Sequence, residues 1–124
     1  MKITNSDVLR YSKQIILKQV GVLGQKKISS SKVLIVGIGG LGCPVALYLS
    51  NLGIKSIGIV DHDKVDLSNL NRQVLFNTKD IGKFKVIQAK KFLQKINKKI
   101  KINIFKKEIK KQNIQNILNK YDII

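Results

Sequence analysis

Two stretches of the chain, Val33–Val36 and Ile57–Val60, run apolar without a polar interruption and are dominated by β-branched residues. Continuous rather than alternating apolar runs suit strands buried on both faces, so strands are predicted over Lys32–Val36 and Ser56–Val60. Between them, Leu41–Leu52 reads as a helix stopped by Gly53. Pro44 falls in its first turn, where a missing N–H costs nothing. Lys101–Phe105 alternates charged and apolar residues, the pattern of a half-exposed strand. Upstream, Ser6 is a candidate N-cap for a helix with Val8, Leu9, Ile15, Ile16 and Leu17 on an apolar stripe. Gly21 and Gly24 interrupt that helix, and a short helical piece follows through Ile28. Lys64–Lys79, rich in Asn, Asp and Ser, reads as irregular with one helical turn at Ser68. Asp80 is a candidate cap for a helix running to about Ile96. Gln112–Asn119 is predicted helical, and Asp122–Ile124 reads as the beginning of another strand. Strands alternating with helices predict an α/β architecture: a mostly parallel sheet with flanking helices, joined by right-handed crossovers. The reading is one domain, C-terminally incomplete, with a helical N-terminal segment over residues 1–30 and a βαβ core over 31–124.

Composition narrows the class. No run of 18 or more residues is apolar, and the N-terminus lacks the apolar stretch of a signal peptide. Cys43 is the only cysteine, which excludes a disulfide framework and any cysteine-rich zinc site within these residues. A soluble cytoplasmic protein with no membrane partner is expected. The formal net charge of +17 suggests nucleic acid at first, but all of the 24 basic residues except Arg10 and Arg72 are lysine. A surface that reads nucleic acid favours arginine with interleaved aromatics, for bidentate readout and stacking. Here the lysines gather after Lys79 with no aromatic platform. Solvated lysine faces are therefore expected rather than a specific nucleic-acid site, with weak polyanion binding in low salt.

The candidate chemistry lies where the first strand meets the first long helix. Gly37-Ile38-Gly39-Gly40-Leu41-Gly42 matches GxGxxG in the context that gives the pattern meaning, after a strand and opening a helix. Glycine allows the tight turn and a close approach of backbone to phosphate, and amides at a helix start favour an anion. Gly37, Gly39, Gly40 and Gly42 are thus candidate nucleotide-binding residues of a Rossmann-like fold. Asp61 ends the second strand near the roughly 20-residue spacing at which a carboxylate meets a ribose. Asp63 either directs a metal or caps the next turn. His62 has no neighbouring His or Cys and reads as a bystander, so no metal-ligating set is assigned. Up to this point NAD fits as well as ATP. Asp66 to Gln73 adds side-chain donors and the guanidinium of Arg72, and Lys85 brings a second cation. Fixed positive charge suits a triphosphate whose pyrophosphate leaves, so ATP is favoured while an NAD-dependent oxidoreductase and a noncatalytic nucleotide-binding remnant stay open.

Three strings of residues carry a resemblance. Arg10-Tyr11-Ser12-Lys13-Gln14-Ile15, the glycine turn, and Asp61-His62-Asp63 with Ser68-Asn69-Leu70-Asn71-Arg72-Gln73 resemble the ThiF/MoeB/HesA family, relatives of ubiquitin-activating enzymes. The resemblance implies ATP- and Mg²⁺-dependent adenylation of the C-terminal glycine of a ubiquitin-like sulfur carrier, for thiamine or molybdopterin sulfur transfer. It implies that Gly40 and its neighbours lie against the phosphates and that Asp61 and Asp63 belong to the nucleotide site. Ser68, Asn69, Leu70, Asn71 and Arg72 would line it, and Lys85 would contact phosphate. In the family a finger arginine arrives from the partner subunit of a homodimer; that position is Lys13 here, which keeps the charge without the planar fork. Arg72, Lys85 and Lys13 are the candidate catalytic residues. The family's Mg²⁺-positioning aspartate and its two CxxC zinc pairs would follow Ile124, so weak activity of these residues alone is expected.

Overall fold

The computed structural model describes residues 3–124. Three short helices open the chain: α1 (Asn5–Arg10), α2 (Ser12–Ile15) and α3 (Gly21–Ser30). They lead into β1 (Lys32–Val36), α4 (Gly42–Leu52) and β2 (Ser56–Val60). Two single 3₁₀ turns, Leu67–Asn69 and Thr78–Asp80, occupy the irregular stretch. Then come α5 (Lys85–Ile96), β3 (Lys101–Phe105) and α6 (Ile114–Leu118).

The strands form one parallel sheet in the order β1-β2-β3, with Val33, Ile57 and Ile102 in register. Ile123 bridges Val33 in parallel on the other edge of β1, and Leu34 N–H donates to Ile123 O at 2.9 Å. The chain therefore runs outward from β1 to β3 and returns on the opposite side of β1. That reversal makes the carboxyl end of β1 a topological switch point, where open α/β sheets bind ligands. Alternation along the strands sorts the core into two layers. Val33, Ile35, Ile57, Ile59 and Ile102 pack with Ala46 of α4 and Val86, Ala89 and Leu93 of α5, while Leu34 and Val60 pack with Ile117 of α6. The Rossmann-like fold expected from the apolar runs is the fold observed.

Four local expectations fail for physical reasons. The N-cap of α1 is Thr4, not Ser6: Thr4 and Asp7 close a reciprocal capping box, which satisfies two amides where a lone Ser6 would satisfy one. The expected apolar stripe does not reach the core, since Leu9 is 78 % and Ile16 73 % exposed. The helix breaks at Tyr11, and polar anchors dock the segment instead. Asp7 is buried against Lys99 (3.0 Å) and Lys55 (3.8 Å). Arg10 donates to Ile96 O and Gln14 Nε2 to Leu52 O, both at 2.8 Å. Gly21, with φ +56°, starts a helix rather than interrupting one, and Gly24 lies inside α3. Asp80 does not cap α5. It lies in the second 3₁₀ turn and accepts from Asn77 N, after which Gly82 (φ +81°) redirects the chain and α5 begins at Lys85.

Candidate nucleotide-binding site

The turn after β1 is built by glycines with different jobs. Gly37, at φ +90°, leaves the strand while its N–H still donates to Val60 O at 2.7 Å. A Cβ on Gly42 would collide with Gly37 O, so closure of the loop onto α4 requires glycine there. Gly39 and Gly40 are not forced in this way. Their missing Cβ atoms would sit 3.7 Å from Gln73 Nε2 and 3.4 Å from Arg72 Cδ, ordinary to slightly tight contacts. Among the described residues, the amides of Gly39, Gly40 and Leu41 donate to no backbone acceptor. Packing leaves them bare, and an oxyanion is what bare amides at a helix start accept.

Asp61 ties the end of β2 to this turn. Its Oδ2 accepts from Ile38 N at 2.9 Å and its Oδ1 from Asp63 N at 2.7 Å. The carboxylate is thereby fixed in orientation, with lone pairs remaining for a ribose hydroxyl. Asp63 caps no turn; its Oδ2 lies 3.2 Å from Lys85 Nζ. Lys85 is only 6 % exposed, and its own N–H donates to Asp63 O at 3.0 Å. A buried ammonium held by one carboxylate is a fixed cation with further N–H bonds to give. His62 is exposed, with Nε2 3.4 Å from Asp63 Oδ1.

The segment from Asp66 to Gln73 is first of all a self-closing turn. Asp66 Oδ1 accepts from Ser68 N at 2.8 Å and Ser68 Oγ at 2.6 Å, and Asp66 N donates to Asn69 Oδ1 at 2.9 Å. The hydroxyl and amide bonds from Ser68 hold the Asp66 carboxyl below its ordinary range. These bonds engage the Ser68 hydroxyl proton and Asn69 Oδ1, which leaves the Asn69 amide donors for a ligand. Leu70 packs against the core. Asn71 Oδ1 and Ser68 O both accept from Arg72 Nη1 at 3.0 Å, and the Arg72 stem lies along Gly40. Glycine turn, Asp61, Asp63, Lys85 and Arg72 are thus brought to one end of the sheet.

Lys13 is not among them. Its neighbours Tyr11 and Gln14 are docked at the far end of α4, Gln14 on Leu52 O and Tyr11 beneath Gly53. The 11 residues of α4 separate that end from the glycine turn, a rise of about 16 Å. Lys13 is exposed there. Two features escaped the sequence. A cleft of about 280 Å³ is lined by Val36, Gly37, Val60, Asp61 and Lys107–Ile109. The loop after β3 had to share this edge once the sheet was parallel, and that was the signal available. Gln73, buried at 3 % exposure beside the turn, gave none.

The residues fit a nucleoside triphosphate: bare amides, a glycine cradle that an added Cβ would begin to fill against Arg72, and two fixed cations. They do not fit a resident divalent cation. Asp61, His62 and Asp63 lie within ligating reach of one another, yet the buried Lys85 ammonium 3.2 Å from Asp63 Oδ2 opposes a second cation there.

The chain is similar to known proteins in sequence and in fold. The chain is 44 % identical over 123 residues to the adenylyltransferase and sulfurtransferase MOCS3 of Culex quinquefasciatus, covering 99 % of this chain and 28 % of that one. It superposes on the crystal structure of PaaA with a TM-score of 0.88 and 32 % identity, over 98 % of this chain and 41 % of the other. With Escherichia coli MccB, solved with ATP, the TM-score is 0.80 and the identity 34 %, over 87 % and 33 %. The chain spans about a quarter of the length of the curated relatives it matches. The model of the ThiF family matches residues 11–124, and the chain belongs to that family.

Proposed function

We propose that this chain is the nucleotide-binding part of an adenylyltransferase that activates the C-terminal glycine of a ubiquitin-like sulfur carrier with ATP, in the cytoplasm, for thiamine or molybdopterin sulfur transfer. The observation that carries the reading is the pair of fixed cations at the end of the sheet that carries the glycine turn. Arg72 lies along Gly40, and buried Lys85 has Asp63 as its one side-chain partner among the described residues. In this reading residues 31–124 bind the nucleotide and residues 1–30 serve the neighbouring subunit. The amides of Gly39 to Leu41 cradle phosphate oxygens, Asp61 orients the ribose, the Asn69 amide donates to the phosphate chain, and Arg72 and Lys85 neutralise the triphosphate. The carrier carboxylate then attacks the α-phosphorus in line. One P–O bond forms, the bond to the bridging oxygen breaks, and pyrophosphate leaves with charge that the cations balance. Among the described residues no side-chain set fits a resident Mg²⁺. Lys13 cannot serve its own turn from the far end of α4, so we assign it to the turn of a second copy in a homodimer.

Carrier-dependent exchange of pyrophosphate into ATP tests the reading, with calorimetric ATP binding alongside. Arg72→Ala is expected to weaken ATP binding at least tenfold, the loss of one charge-assisted phosphate contact. Unchanged affinity, or equal displacement of ATP by NAD, would sink the assignment.

A further inference from the structure

Gln73 Oε1 is the one buried side-chain polar atom without a hydrogen-bond partner among the described residues. The residue is 3 % exposed and its backbone is locked: its N–H donates to Asn69 O at 2.9 Å and its carbonyl accepts from Phe76 N at 3.1 Å. Its Nε2 lies alongside Gly39, one residue from the Arg72 stem that lies along Gly40. An orphaned buried acceptor is costly, and a leucine or methionine would fill the same volume without that cost. The amide therefore does something that packing does not require, and its place beside the bare amides says where.

We propose that Gln73 is a positioning residue of the phosphate site, whose Oε1 gains its missing donor only when the nucleotide is bound. The inference rests on the reading that the glycine turn holds a triphosphate. Phosphate oxygens at neutral pH are acceptors and cannot bond Oε1 directly. A water can, because its two hydrogens join two acceptors. Nε2 is the amide atom that faces Gly39, so a half-turn of the side-chain amide on nucleotide binding brings Oε1 to the turn, and Gln73 then holds one ordered water between its carbonyl oxygen and the phosphate chain. The water fixes the depth at which the phosphates sit against Gly39 and Gly40, and so the distance between the α-phosphorus and the attacking carboxylate. Arg72 supplies charge; Gln73 supplies register.

The test is a contrast that a purely structural glutamine cannot produce. In the full chain, Gln73→Leu removes the orphan while keeping the volume. Its melting temperature without ATP is expected to equal or exceed that of the wild type. Its affinity for ATP is expected to fall about tenfold, as for one lost hydrogen bond to a charged group, and its ATP-induced thermal shift to shrink. Lower stability with unchanged ATP affinity overturns the proposal, and so does no change in either. Where Gln73→Leu does not fold, ¹⁵N-edited NMR of the Gln73 side-chain amide in the wild type gives the answer. ATP should shift its resonances and slow its hydrogen exchange, and an unmoved amide overturns the proposal. A wild type that binds no ATP removes the triphosphate reading and this inference together, whereas wild-type binding that Gln73→Leu retains removes only the inference.

Discussion

At the scale of single residues, the glycine turn separates what the fold needs from what a ligand needs. Gly42→Ala places a Cβ on Gly37 O, and no flexible side chain is there to yield. A loss of about 3 kcal/mol or more is expected in denaturant unfolding, as for other forced backbone clashes. Gly39→Ala meets only an ordinary contact with Gln73, so stability should move by less than about 1 kcal/mol. ATP affinity should nevertheless drop, because the added methyl stands where the backbone must approach phosphate. The reverse ranking in stability would contradict the geometry. Cys43 illustrates a buried group with no part in binding. Burial pushes its thiol up to about 11 from an ordinary 9.0. A raised folded pKa contributes stability that is complete below the unfolded value and lost as pH rises toward the folded one. Stability should therefore decline between about pH 9 and 11, and Cys43→Ala should flatten that limb of a pH–unfolding profile even where it lowers the plateau. The four glycines, Asp61 and Arg72 were legible because each sits in a pattern with a mechanism. Gln73 was not, because burial without a partner exists only in three dimensions.

At the scale of elements, the N-terminal helices show polar anchoring where an apolar stripe was expected. Val8, Leu9, Ile16 and Leu17 have helical spacing, but that spacing means burial only if the helix continues and lies on the sheet. It breaks at Tyr11, which is buried along with Asp7. Gln14 and Gln25 bond each other and both donate to Leu52 O, so the segment is docked on the end of α4 through amides. Asp7 is the centre of the attachment. Burial alone would raise its carboxyl, but the Thr4 hydroxyl and amide, Lys99 and Lys55 outweigh it and hold the carboxyl well below the usual range. A depressed folded pKa contributes stability above the unfolded value of about 4, lost as pH falls from there. Acid unfolding should accordingly begin below about pH 4. Asp7→Asn should remove most of that dependence while lowering stability at pH 7, measured by urea unfolding at several pH values. The strands needed no such correction. Lys32–Val36 and Ser56–Val60 are observed with the bounds their apolar runs predicted, and Lys101–Phe105 with those its alternation predicted.

At the scale of the whole molecule, the sheet order decides which side chains can act together. Placing Lys13 and the glycine turn at opposite ends of α4 means that one chain cannot join them. For the proposed dimer, mixing Lys13→Ala and Arg72→Ala chains should restore carrier-dependent pyrophosphate exchange that neither variant shows alone. Restoration absent from a mixed dimer verified by mass would refute action across the interface. The sequence by itself determined the secondary structure of the core, the position of the glycine turn and the family. Those rest on local rules: continuous apolar runs make buried strands, and glycine spacing after a strand makes an amide-lined turn. The tertiary structure alone decided that Asp63 holds Lys85, that Ser68 and Asn69 are bonded within their own turn, and that Gln73 Oε1 lies buried without a partner. Those facts join residues that the chain keeps apart, or concern burial, and only packing brings such groups within the few ångströms at which hydrogen bonds and charges act.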